Sequence, residues 1–134
     1  MADLSITAIE LVAPGTLKTN KAASEAFDVG DAMYLTGSNY ALADATDTAK
    51  LSVVGIALFA GGVGDYPILA ADGARLRLTG PTLTKGAMYY LSTTGHICPF
   101  ADLTTGDSVI PLLLAESTSV VQVKIIVPTA TITL

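Results

Sequence analysis

The feature that most constrains this chain is a phrase written twice. Residues 30–44 read GDAMYLTGSNYALAD, and residues 85–102 read KGAMYYLSTTGHICPFAD. Each contains a glycine, a short apolar run with Met-Tyr, a Ser/Thr/Gly turn, and a second apolar run closing on Ala-Asp. Gly30-Asp31-Ala32-Met33-Tyr34-Leu35 aligns with Gly86-Ala87-Met88-Tyr89-Tyr90-Leu91, Asp44 with Asp102, and residues 51–58 with residues 109–115. The offset drifts from about 55 to about 58 residues, as it would if one loop gained a few residues. Each copy reads as strand, tight turn, short strand, Asp-containing loop, then a long buried strand. Neither copy can cover its own apolar face, so two hairpin units, about 30–58 and 86–115, are expected to close against each other. Chance similarity between β sequences is the competing explanation. Under either one the phrase is scaffold, because strand formers and turn residues compose it.

The rest of the chain has the same texture. No segment sustains a helical apolar period. Leu4 to Val12 is β-rich and stopped by Pro14-Gly15. Residues 74–79 alternate cleanly, which places Leu76 and Leu78 inward and Arg75 and Arg77 on the wet face. Val120 to Val127 has one fully apolar side, from Val121 through Val123 and Ile125 to Val127. Short strands punctuated nearly every ten residues predict an all-β fold, a compact small barrel or sandwich. At 134 residues this is a single domain. Residues 1–24 read as an N-terminal arm or first strand region, and 25–134 as the β body.

Composition bears on what the surface does. The chain is 51% hydrophobic and only 14% charged, where about 25% charged is usual. So apolar a surface implies burial of part of the outside by other subunits. The net charge of -5, with seven Lys and Arg that never form a run, argues against nucleic acid or an anionic membrane as partner. Cys98 is the only cysteine, so no intrachain disulfide can form. Asp3 stands where a signal peptide would carry basic residues. The apolar window from Val53 to Val63 falls short of the ~18 residues of a membrane helix. A soluble protein made in a cytoplasm is expected.

The inventory of reactive residues yields no catalytic, cofactor or metal site. His96 and Cys98 lie two apart, expected on one strand face, but zinc needs about four ligands and there is no second Cys or His. A single histidine with no GxSxG elbow supports no triad. Gly61-Gly62-Val63-Gly64-Asp65 lacks the Lys-Ser/Thr ending and the following helix of a phosphate loop, and reads as a turn. Asp44, Asp47, Asp102 and Asp107 lack EF-hand spacing and suit turn capping. Tyr34 and Tyr89 fit a strand-lined interior better than a stacking platform.

With those residues in view, the order of motifs resembles a family. An arm MADLSITA is followed by DVGDAMYLTGSNYALADA, VVGIALFAGGVGDYPILAADG and GAMYYLSTTGHICPFADLTTGD. This is similar to the small head decoration, or cement, proteins of tailed bacteriophages over nearly the whole chain. Departures are Met33 and Met88 where Val would be expected, and an extension after Pro128. The resemblance implies a compact β-tulip-like domain on the outer surface of an icosahedral virion. Its partners would be the major capsid protein of an HK97-type shell and two sister copies, as a homotrimer at three-fold positions. Interface residues are expected at the apolar termini: Ala2, Leu4, Ile6, Ile9, Leu11, Ile132 and Leu134. The arm from Ala2 to about Val12 would carry much of the attachment by strand addition; the opposing possibility is that it is simply the first core strand. A ligand-binding module, for example for carbohydrate, is the alternative function.

Overall fold

The computed structural model describes residues 3–128 and 130–134. Among them the chain is nearly all β, with single 3₁₀ turns at Thr48–Lys50 and Phe100–Asp102. The strands are β1 (Ala8–Ala13), β2 (Leu17–Lys18), β3 (Ala32–Thr36), β4 (Asn39–Leu42), β5 (Val53–Ala57) and β6 (Leu69–Ala70). They continue with β7 (Arg75–Thr79), β8 (Met88–Leu91), β9 (Ile97–Pro99), β10 (Pro111–Ala115) and β11 (Val120–Val123). One sheet runs β1-β7-β11-β10-β8-β9 and the other β2-β6-β5-β3-β4, every pair antiparallel. The two pack compactly as an all-β sandwich.

The doubled phrase is a doubled substructure. In the first unit β3 pairs with β4 on one side and β5 on the other; in the second, β8 sits likewise between β9 and β10. Both outer pairings carry a bulge at the same place. Met33 faces Gly55 but Tyr34 faces Val53; Tyr89 faces Leu113 but Tyr90 side by side with it reaches Pro111. The entry turns match as well. Gly30 N–H donates to Ala57 O at 2.8 Å, and Gly86 N–H to Ala115 O at 2.8 Å. Ala57 N–H returns to Asp31 O, as Ala115 N–H does to Ala87 O. Both glycines sit at positive φ, +86° and +85°, which a side chain would strain.

These equivalences fix which faces correspond. Ala32, Tyr34, Val53 and Ile56 form the front of the first unit, and Met88, Tyr90, Pro111 and Leu114 that of the second. The backs are Met33, Val54, Gly55 and Ala57 against Tyr89, Leu112, Leu113 and Ala115. The main core joins the front of the first unit to the back of the second. The units therefore stack front to back and do not face each other as mirror partners. Leu112 and Leu113 are fully buried there, and each such side chain contributes roughly 1.5–3 kcal/mol.

A second, smaller core covers the back of the first unit. Met33, Tyr40, Ala57 and Leu69 are closed over by Ala23 and Phe27. The covering loops bind each other and the edge of β4. Phe27 and Gly61 exchange both backbone hydrogen bonds at 2.9 Å, Ala23 N–H donates to Asp65 O, and Tyr40 N–H donates to Ala22 O. Gly55 makes room beneath them, since a Cβ there would stand 2.6 Å from Leu69 Cβ.

The alternation expected for β7 is present, with Leu76 and Leu78 buried and Arg75 and Arg77 exposed. The C-terminal strand is shorter than its apolar pattern: it ends at Val123, and Val127 is exposed. There Ile125 N–H turns to the Asp72 carboxylate at 2.7 Å. Residues 3–24 contribute to both sheets, through β1 and β2, with residues 22–24 alongside β4.

Candidate interaction surface

Residues 4–7, ahead of β1, are seated on the body. Leu4 N–H donates to Ile97 O at 2.7 Å and Thr7 N–H to Thr79 O at 2.8 Å. Two glycines admit it: a Cβ on Gly80 would overlap Ser5 O, and one on Gly30 would lie 2.7 Å from Ile6 Cδ1. Leu4, Ile6 and Ile9 are partly buried against the main core, whereas Leu11, Ile132 and Leu134 are exposed. Ala2 lies outside the described residues. Strand β1 uses one side for β7 and is an edge of its sheet on the other. The C-terminal residues lie beside 106–109, where Val109 N–H donates to Ile132 O and Leu134 N–H to Asp107 O.

Beside that segment is a cleft of about 540 Å³, bounded by residues 3–7, 28–31 and 96–97. His96 Nδ1 is 2.9 Å from Thr93 O, 3.2 Å from Thr94 Oγ1 and 3.6 Å from the Asp3 carboxylate. Asp31 is buried, and burial raises its pKa above the ordinary 3.8 despite the hydrogen bond its carboxylate accepts from Asp28 N–H. Among the described residues no group of His, Cys, Asp or Glu is arranged to hold a metal ion.

His96 and Cys98 are not presented together. His96 is exposed ahead of β9, and Cys98 is buried within it. Burial pushes the Cys98 thiol up to about 11, outweighing a hydrogen bond from Ser92. At neutral pH it is a thiol, the poor nucleophile of the pair. Of Asp44, Asp47, Asp102 and Asp107, three hold turns, whereas Asp102 Oδ2 is buried without a hydrogen-bond partner among the described residues. Asp44 accepts from both the amide and hydroxyl of Thr46, Asp47 from Ala49 N–H, and Asp107 from both groups of Thr104. Burial alone would raise Asp44, but the Thr46 and Thr94 hydrogen bonds and Lys50 outweigh it and hold its carboxyl below 3.8. Gly62 N–H donates to Asp65, closing a loop that covers Phe27. Tyr89 is buried in the main core with Tyr34 packed against it, and Tyr40, in the smaller core, bonds Asn20.

The outer face of the six-stranded sheet changes character across its width. On the β7 side it is charged and paired: Arg75 meets Glu116 at 2.7 Å and Arg77 meets Glu10 at 2.6 Å. On the β8 and β10 side it is apolar, with half-buried Met88, Tyr90, Pro111 and Leu114. Phe100 stacks edge-on to Tyr90 at 5.4 Å and is itself exposed, as is Ile126. Sequence reasoning missed this patch. The signal was the half-apolar alternate side of residues 88–91 and 111–115, read only as strand.

Compared with known proteins, the chain matches no family model and no curated protein sequence.

Proposed function

We propose that this is a structural, interaction-only protein that binds the outer surface of an icosahedral phage capsid, as a homotrimer at three-fold positions, and stabilises the shell. One observation carries the interaction-only part. Asp44 and Asp107 hold turns and Cys98 is buried, while the outer face of the six-stranded sheet is apolar across β8 and β10, with Phe100 exposed beside it. The capsid as partner rests on the resemblance to phage head decoration proteins, whose motif order runs through both hairpin units. Binding to the assembled shell but not to free capsid subunits would stabilise the shell by mass action.

Co-sedimentation with purified, undecorated mature shells tests the reading. Saturable pelleting at three copies per three-fold position, with a raised shell disruption temperature, is the expected result. Absence of pelleting at micromolar protein overturns it, and selective retention on a glycan array would replace it with a carbohydrate-binding role.

A further inference from the structure

The smaller core stops short of one end of the sheet face it covers. Leu35 pairs with Tyr40 across β3 and β4, so both side chains lie on the same side as Met33. Ala23 and Phe27 close over Met33 and Tyr40, but Leu35 is 43% exposed. At this end the chain spans from β2 to β4, opposite edges of the five-stranded sheet. It is pinned at the β4 edge, where Tyr40 N–H donates to Ala22 O. Between span and sheet lies a pocket of about 420 Å³, bounded by Leu35, Tyr40 and Val54 on the sheet and by Lys18, Asn20 and Lys21 on the span. An apolar floor with a few polar groups at one rim, in a space of this size, suits a small molecule.

We propose that this pocket binds a small organic carboxylate, its apolar body on Leu35 and Val54 and its charged group at the two lysines. The rim offers donors and no competing acid. In a chain of net charge -5, no Asp or Glu among the described residues bounds this pocket. Among the same residues Lys18 and Lys21 are in no ion pair, whereas Lys50, Arg75 and Arg77 each meet an acid. Asn20 Oδ1 accepts from the Tyr40 hydroxyl at 3.2 Å, which leaves the two N–H donors of its amide for a ligand. Lys18 also borders a neighbouring groove that contains Asp72, but that carboxylate accepts from Ile125 N–H. Lys21 is half-buried, and an anion beside it is screened less than one at a fully exposed lysine. A neutral ligand would leave both ammonium groups unpaired, and a bare inorganic anion would leave the floor uncovered. A carboxylate on an apolar body satisfies both.

The test is an amide-resolved NMR titration of the full chain at low salt with benzoate, benzyl alcohol and inorganic phosphate. Benzoate is expected to give saturable shifts confined to residues 17–21, Leu35, Tyr40 and Val54, with a dissociation constant of about 1 mM. Benzyl alcohol, the same ring without the charge, should bind about tenfold more weakly. Phosphate, with no body to place on the floor, should be weaker than benzoate by a similar factor of about ten. Lys18→Gln, at an exposed position, should weaken benzoate binding several-fold, and Lys18→Gln with Lys21→Gln about tenfold. Leu35→Glu guards against loss of loop structure in the lysine variants: it brings the chain's own carboxylate into the pocket and should abolish binding with unchanged circular dichroism. Absence of saturable shifts with benzoate overturns the proposal. So does equal affinity for benzyl alcohol or for phosphate, or a double lysine variant that binds benzoate like wild type. None of these outcomes bears on the capsid reading, which shell pelleting tests separately.

Discussion

The two hairpin units share strand order, bulge position and entry turn, yet corresponding residues meet different surroundings. Ile56 and Leu114 occupy the same register position, but Ile56 is 1% exposed and Leu114 is half-buried on an outer face. Met33 corresponds to Tyr89, and each is buried in a different core. The difference comes from the chain flanking each unit. Before and after the first unit it supplies the covering loops, 19–28 and 58–66. After the second it supplies residues 124–134, whose last residues lie beside 106–109 instead of crossing the front. Local pairing is thus a property of each unit, and burial is a property of what stacks on it.

The largest expected effect tests that contrast directly. Ile56→Ala should cost about 2–5 kcal/mol, and Leu114→Ala about 1 kcal/mol, by urea unfolding below the concentration of association. Equal losses would mean the second front is covered within the single chain, and the contrast would fail.

A second comparison uses the matched glycines. Gly30→Ala and Gly86→Ala both force a side chain into positive φ, costing about 1 kcal/mol. Open space surrounds Gly86, whereas a Cβ on Gly30 meets Ile6 at 2.7 Å. Gly30→Ala should therefore lose a further 1–3 kcal/mol or so through overpacking. In a chain shortened to begin at Thr7 the two substitutions should become equal. If the gap between them persists there, Ile6 is not its source.

The smallest effect concerns Asp31, whose counterpart is Ala87. Its folded pKa lies above the unfolded 3.8 because it is buried. Between those values the native state holds more protons than the unfolded one, so stability falls as pH rises through that window. Asp31→Asn keeps an acceptor for Asp28 N–H and removes the charge. It should raise the urea midpoint at neutral pH and flatten this slope, while the opposite slope from Asp44, whose stabilisation is lost as pH falls below 3.8, remains. A variant whose midpoint-against-pH curve overlays that of wild type would show that Asp31 titrates normally.

Much of the local structure could be read from residues alone. Leu76 and Leu78 alternate with Arg75 and Arg77, so their strand had one possible inner side. The matched phrase at 30–58 and 86–115 located both units, including their drift in spacing, because turn glycines and strand formers act within a few residues. Three features were beyond that reach. Strand periodicity has no power to choose a side when both are apolar, as at Met33-Tyr34 and Tyr89-Tyr90, so the front-to-back order was decided by contacts between the units. The seat of Leu4 and Ile6 depends on Gly30, Gly80 and Ile97, distant in sequence. Val127 continues an apolar pattern that the ladder does not: beyond Val123 the Lys124 and Ile126 amides still reach β10, at Leu112 O and Pro111 O, but on the β7 side the Ile125 amide finds only the Asp72 carboxylate. Sequence determines the pairings that short-range sterics and turn chemistry dictate; which faces become interior is settled only when distant segments compete to cover them.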